Sequence, residues 1–185
     1  EYVTVTLGDH ENSKILKKRI KINKKYSCIK HYQLEPVSEE IFNLTSNKIK
    51  EKLGDINYEH IDGDRESPIS LHEDGGAISL YKICEYMSKL GFNTLITGSG
   101  ADEIYSVYGF NGKKFFTHSE FGGLFPENLS QIFPWKKFYG DTQRSYLKKD
   151  EMITGLFGIE GRYPYLDKDL IQSFINLTTA IKNER

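Results

Sequence analysis

The sequence predicts an α/β fold in which a parallel sheet with flanking helices is followed by a helical C-terminal elaboration. Strand-type runs alternate with segments whose apolar residues recur at helical spacing, as parallel sheets require because a helix joins each strand to the next. Strands are expected near residues 2–7, 28–34 and 93–97. The sheet part is expected over about 1–110 and the helical part over about 111–185, within one domain spanning residues 1–185.

Helices are expected between and after these strands. Ser38, followed by two glutamates, is a typical cap for the second helix, and Gly91 ends the third. Residues 54–76 are polar and rich in turn formers, which predicts a long loop. Two further helices are expected at about 143–157 and 167–180, with a proline-stiffened turn between them.

The composition narrows the class of partner. With 25 basic and 26 acidic residues, the chain lacks the basic excess of a nucleic-acid binder, so the aromatic tract 115–139 is expected to be core. No apolar run approaches the roughly 20 residues that cross a bilayer, so no membrane partner is expected. Only Cys28 and Cys84 occur, which fits a soluble, cytoplasmic protein without a disulfide framework. Small molecules or proteins are the expected partners.

The most informative segment is Leu95–Ile104 (LITGSGADEI). An apolar strand runs into a glycine-spaced turn and then into a helix with two carboxylates in its first turn. Ligands of open α/β sheets bind at the carboxyl ends of strands, where Gly98 and Gly100 would let backbone amides approach a phosphate or adenosine. Asp102 and Glu103 would face that crevice, although helix capping explains these carboxylates equally well. A dinucleotide site is excluded because a third glycine and a ribose-binding acid are missing.

A second segment, Gly158–Asp167 (GIEGRYPYLD), gathers three charged side chains around a proline. They belong to Glu160, Arg162 and Asp167. A structural ion-pair cluster at a helix junction accounts for these charges, so the segment by itself specifies no chemistry.

Taken together and in this order, the two segments resemble motifs of the asparagine synthetase family and its relatives. The first resembles the motif [ST]-G-x-G-[AS]-D-E-[LI], and Phe157–Asp167 resembles F-G-I-E-x-R-x-P-[FY]-L-D. The resemblance implies an ATP-pyrophosphatase-type domain with the adenine nucleotide alpha hydrolase-like fold. Such a domain uses ATP and Mg²⁺ to adenylate a carboxylate and lets an amine attack the acyl-adenylate to form an amide.

The resemblance also implies roles for individual residues. Leu7 would lie at the adenine, and the loop that binds the nucleotide would consist of Thr97, Gly98, Ser99 and Gly100. Asp102 would hold the magnesium ion and, with Glu103, is the candidate catalytic residue. Glu160, Arg162 and Asp167 would support the site without touching the substrate. Glu103 is also a candidate for such a supporting role.

Several departures from the family pattern leave alternatives open. The family's S-G-G-x-D-S phosphate loop does not occur in these residues, so the chain is expected to be part of a longer domain and to lack ATP pyrophosphatase activity alone. The family's glutamine-hydrolysing domain is also missing and is expected, if present, upstream. Ser99 stands where asparagine synthetases carry an acid and β-lactam synthetases carry Tyr, and Ser106–Tyr108 replaces a Gly-Gly-Tyr. A β-lactam synthetase or peptide cyclase type of ligase, or an inactive binding module, therefore stays open beside an asparagine synthetase.

Overall fold

The computed structural model describes residues 2–7, 13–26, 29–58 and 69–184 and has a mixed α/β fold. The strands are β1 (Tyr2–Leu7), β2 (Ile29–Leu34), β3 (Asn57–Tyr58), β4 (Ile69–Ser70), β5 (Thr94–Ile96), β6 (Gly109–Phe110), β7 (Lys113–Lys114) and β8 (Glu160–Arg162). The helices are α1 (Ser13–Asn23), α2 (Glu39–Leu53), α3 (Gly75–Lys89), α4 (Lys136–Tyr139), α5 (Asp141–Gly155), α6 (Lys168–Asn176) and α7 (Thr179–Asn183).

Two pairs of strands are parallel. β1 pairs with β2 in a register that runs from Tyr2 opposite Ile29 to Leu7 opposite Leu34. β5 pairs with β8, with Thr94 opposite Glu160. Each of the three strands expected near 2–7, 28–34 and 93–97 therefore lies in a parallel pair, but the single parallel sheet that was expected is not shown. Within the described residues these pairs remain two separate two-stranded sheets.

The segment around Pro164 corrects one prediction. A turn between two helices was expected, but β8 occupies Glu160–Arg162 and a 3₁₀ turn follows at Pro164–Leu166. Three residues are too few to give an alternating pattern, and the strand is defined by backbone bonds to β5. Glu160 N donates to Asn93 O at 2.8 Å, and Thr97 N donates to Arg162 O at 3.0 Å. The part from 111 to 185 is thus not helical throughout.

The helices largely match their expected positions. α2 begins after Ser38, whose hydroxyl accepts a bond from Ile41 N at 3.2 Å. The helix expected at 167–180 is split into α6 and α7, because Thr178 is extended and caps α7. In the expected loop 54–76, β3 and β4 form an antiparallel pair, while residues 59–68 lie outside the described residues.

The core consists of two clusters. The first is built around α3, whose Ile78, Tyr81 and Cys84 are buried with Ile49 of α2 and Ile153 of α5. The second is mainly aromatic, and its buried members are Ile104, Val107, Phe125, Trp135 and Phe138.

The aromatic tract 115–139 is thus core only in part, since Phe115, Phe116 and Tyr139 are mostly exposed. In the described part of the chain, no helix has both the length and the apolar character needed to cross a bilayer.

Candidate functional site

The first motif forms a loop at the carboxyl end of β5. The order of strand, loop and helix is as expected, but the helix is a single π-type turn, Asp102–Ser106. Gly100 has a φ of +91°, and a Cβ there would lie 2.2 Å from Leu166 Cδ2. Only glycine combines this backbone conformation with so close an approach. Gly100 therefore fixes the first motif against the second.

A buried carboxylate that the sequence did not single out lies beneath this loop. Ser99 Oγ donates to Asp150 Oδ2 of α5 at 2.6 Å. Thr97 Oγ1 lies 3.1 Å from Ser99 Oγ and accepts a bond from Ser99 N at 3.2 Å. Asp150 is only 6% exposed, so its carboxylate depends on these hydroxyls instead of water.

The surroundings of Asp150 raise the proton affinity of its carboxyl. Burial raises the pKa of its carboxyl, although the hydrogen bond from Ser99 opposes that shift. Burial, with a smaller contribution from the negative charge of Asp150, raises the pKa of Cys84 to about 12. The Cys84 thiol therefore stays protonated near neutral pH and is not a nucleophile. Cys28 lies outside the described residues.

Glu103 is buried and hydrogen-bonded within the protein. Its side chain is buried and accepts a hydrogen bond from the Tyr108 hydroxyl, and its carbonyl accepts one from Trp135 Nε1 at 2.7 Å. Burial raises the pKa of the Glu103 carboxyl and, more strongly, that of the Tyr108 hydroxyl. Glu103 thus joins the motif turn to the aromatic cluster, which suits support better than contact with a substrate.

Asp102 differs from its neighbour because its side chain is exposed. Its Oδ1 accepts a bond from Ser106 Oγ at 3.1 Å, one helical turn later. No group of three or more His, Cys, Asp or Glu side chains arranged to hold a metal occurs among the described residues. Asp102 could hold a magnesium ion as a single protein ligand, with water and phosphate oxygens as the remaining ligands. Mg²⁺ is commonly held in this way in nucleotide sites.

Leu7 lies in a different pocket from the motif loop. It lines a cavity of about 280 Å³ with Leu34, Val37 and the carboxyl-terminal half of α3, including Lys82 and Tyr86. The residues that line the cavity also include the charged side chains of Lys82, Glu85 and Lys89. None of the residues 97–100 lines it. The structure therefore does not bring Leu7 together with the nucleotide-binding candidates of the loop.

The charged residues of the second motif make local contacts. Arg162 pairs with Glu160 through Nε to Oε1 at 2.9 Å and Nη2 to Oε2 at 3.0 Å, on one face of β8. Asp167 caps α6 by accepting bonds from Asp169 N and Leu170 N, both at 3.0 Å. The supporting roles expected for these three residues stay a prediction.

The two motifs nevertheless meet in the fold. The β5–β8 pairing aligns them, Leu166 packs on Gly100, and Tyr105 OH donates to Tyr165 O at 2.9 Å. Sequence reasoning missed Asp150 because it lies in the run Lys148–Glu151, which looks like a solvated helix face. The only available signal was the position of that helix directly before the second motif.

Comparison with known proteins gives no family for this chain: no family model matches the sequence, and a search of curated proteins finds no match.

Proposed function

We propose that this chain carries part of an ATP-dependent, AMP-forming amide ligase that adenylates a carboxylate and transfers an amine to it. The observation that supports the proposal most is the meeting of the two motifs above a buried carboxylate. Residues 97–100 directly follow β5, Leu166 of the second motif packs on Gly100, and Asp150 accepts a hydrogen bond from Ser99. A domain of the adenine nucleotide alpha hydrolase-like type is the fold that this proposal requires.

Asp102 is the residue that would hold Mg²⁺ at this loop. When bound, the ion neutralises the charge that develops on the departing pyrophosphate. The exposed carboxylate of Asp102 could reach a cation bound beside the loop that follows β5, whereas the carboxylate of Glu103 is buried. Thr97, Gly98, Ser99 and Gly100 would contact the nucleotide through the loop backbone.

Asp150 extends the proposal to the second half-reaction. An amine that attacks an acyl-adenylate must lose a proton, and a carboxylate with a raised pKa is a stronger base than an ordinary one. Burial raises the pKa of Asp150, and its bond to Ser99 connects it to the loop surface. We therefore assign Asp150 as the proton acceptor, reached through Ser99, whose hydroxyl would take the proton of the amine as it gives its own to Asp150.

The test is ATP–pyrophosphate exchange by the full-length protein that contains this segment, supplied with candidate carboxylates. Asp102→Asn is expected to abolish magnesium-dependent exchange, while Glu103→Gln retains a substantial fraction in protein of matched folded content. Asp150→Asn is expected to preserve exchange and to slow amide formation. Equal losses of exchange for the Asp102 and Glu103 variants would contradict the metal assignment. Absence of exchange with any carboxylate would favour a binding module.

A further inference from the structure

An open groove of about 780 Å³ runs along β5, β8 and α5 beside the motif loop. Its volume is within the range of small-molecule sites. Apolar side chains line most of it, namely Ile96, Leu147, Pro164 and Leu166. The lining also includes two carboxylates, those of Glu151 and Asp167.

The apolar surface of the groove is accessible to a ligand. Ile96 is 63% exposed although it is a strand residue, and its face of β5 is continuous with Arg162 of β8. An apolar ligand body that covers Ile96 and Leu147 would remove this surface from water, which is favourable in proportion to the area covered.

The charge of the groove is negative. The positive charge of Arg162 is balanced by Glu160, to which its guanidinium donates two hydrogen bonds, so Arg162 contributes little net charge to the groove. Glu151 accepts a bond from Tyr163 OH at 2.6 Å, and Asp167 accepts only backbone amides. No lysine or arginine of the described residues forms an ion pair with either carboxylate. A cationic group on the ligand would therefore complement the groove.

We propose that this groove binds an amine with an apolar body, its ammonium group near Glu151 and its body on Ile96 and Leu147. The groove adjoins the motif loop, because Ile96 precedes Thr97 and Leu166 packs on Gly100. Glu151 directly follows Asp150 in α5. As the site of the attacking amine, this assignment rests on the proposed ligase function. If the groove holds the attacking amine, the amine substrate of the ligase is larger than ammonia.

The test uses hexylamine as the probe, with hexanoate and hexanol as charge-reversed and neutral counterparts, and follows binding to the full-length protein by NMR titration without ATP. Hexylamine, which is an ammonium ion at neutral pH, is expected to bind at least tenfold more tightly than hexanoate. Glu151→Gln is expected to weaken hexylamine about threefold, the size typical of an exposed ion pair. Ile96→Thr, which keeps a β-branched side chain at this exposed strand position, is expected to weaken all bound probes.

A matched control is Glu127→Gln, which removes the same charge from an exposed loop outside the groove. It is expected to leave hexylamine binding unchanged. Equal binding of hexylamine and hexanoate, no binding of hexylamine, or binding that neither the Glu151 nor the Ile96 variant alters would overturn the proposal. ATP–pyrophosphate exchange is measured in a separate assay. A negative result for the groove therefore does not contradict the adenylation proposal. Binding without exchange would instead contradict the ligase function.

Discussion

The two motif segments hold their charged residues in opposite ways. In the first, Glu103 is buried against Tyr108, and Ser99 is bonded to the buried Asp150. In the second, Glu160 and Arg162 are both 61% exposed and pair with each other. Burying an ionisable group costs free energy that an exposed pair does not incur. Perturbations of the first segment are therefore expected to have much larger effects on stability than perturbations of the second.

The largest effect is expected where the segments touch. Gly100→Ala would force a side chain into a left-handed backbone conformation and against Leu166, whose Cγ would lie 2.6 Å from the new Cβ. Backbone strain of about 1–2 kcal/mol adds to an overpacking cost of about 1–3 kcal/mol. The free energy of unfolding, measured with urea, is expected to fall by roughly 3 kcal/mol.

Gly98 supplies the control for this substitution. It lies two residues earlier in the same loop, but a Cβ there meets nothing within 4 Å and its φ is not positive. Gly98→Ala is expected to change stability by less than about 1 kcal/mol. Similar losses for both variants would mean that the loop, and not its contact with Leu166, limits stability.

A second prediction concerns the buried pair in the first segment. Tyr108→Phe removes the hydroxyl that donates to Glu103 and leaves a buried carboxyl without this partner. Such a loss typically costs about 1–3 kcal/mol, and we expect a value near 2 kcal/mol by urea unfolding. Tyr139→Phe is the control, because Tyr139 is 75% exposed. A cost below that of Tyr139→Phe would contradict the role given to the Glu103–Tyr108 bond.

A third prediction uses the dependence of stability on pH. Burial raises the folded-state pKa of Asp150 above the ordinary value of about 3.9. The folded state therefore binds the proton more tightly than the unfolded state, and the group lowers stability as pH rises through the two pKa values. Asp150→Asn removes this titration while keeping an oxygen that accepts from Ser99. The free energy of unfolding of this variant, relative to that of the unsubstituted protein, is expected to increase by on the order of 1 kcal/mol as the pH rises from 4 to 8.

Urea unfolding at several pH values checks this prediction, with Glu127→Gln, at an exposed loop position, as the control substitution. A stability difference for Asp150→Asn that does not change with pH would mean that the carboxyl titrates alike in both states. A gain in stability together with slower amide formation would instead be the pattern of a residue kept for chemistry.

The fold could be predicted where patterns were long. The 15-residue helices α2, α3 and α5 and the six-residue strands β1 and β2 carry enough residues for periodicity to appear. β8 was missed because its three residues are defined by hydrogen bonds to β5, which is more than sixty positions earlier in the chain. Such pairing is a tertiary property that local pattern does not encode.

In the candidate site, too, the sequence predicted the features that have a local signal and missed those that depend on tertiary packing. Gly98 and Gly100 marked the loop, since glycine spacing is a local signal. Asp150 gave no local signal, because only tertiary packing buries one carboxylate of the run from Lys148 to Glu151. The separation of Leu7 from the loop also depends on how β1 and α3 pack, which the order of elements does not determine.

The smallest effect is expected at the exposed pair in the second segment. Glu160→Gln removes one partner of Arg162 on the surface of β8, where water screens both charges. We expect a loss below about 0.5 kcal/mol, and a double-mutant cycle with Arg162→Gln is expected to give a coupling energy of similar size. The bidentate geometry is the one feature that could enlarge it. Raising the salt concentration should reduce the coupling further. A coupling above about 1 kcal/mol that salt does not reduce would show that the pair is shielded from water, and would remove the contrast between the two segments.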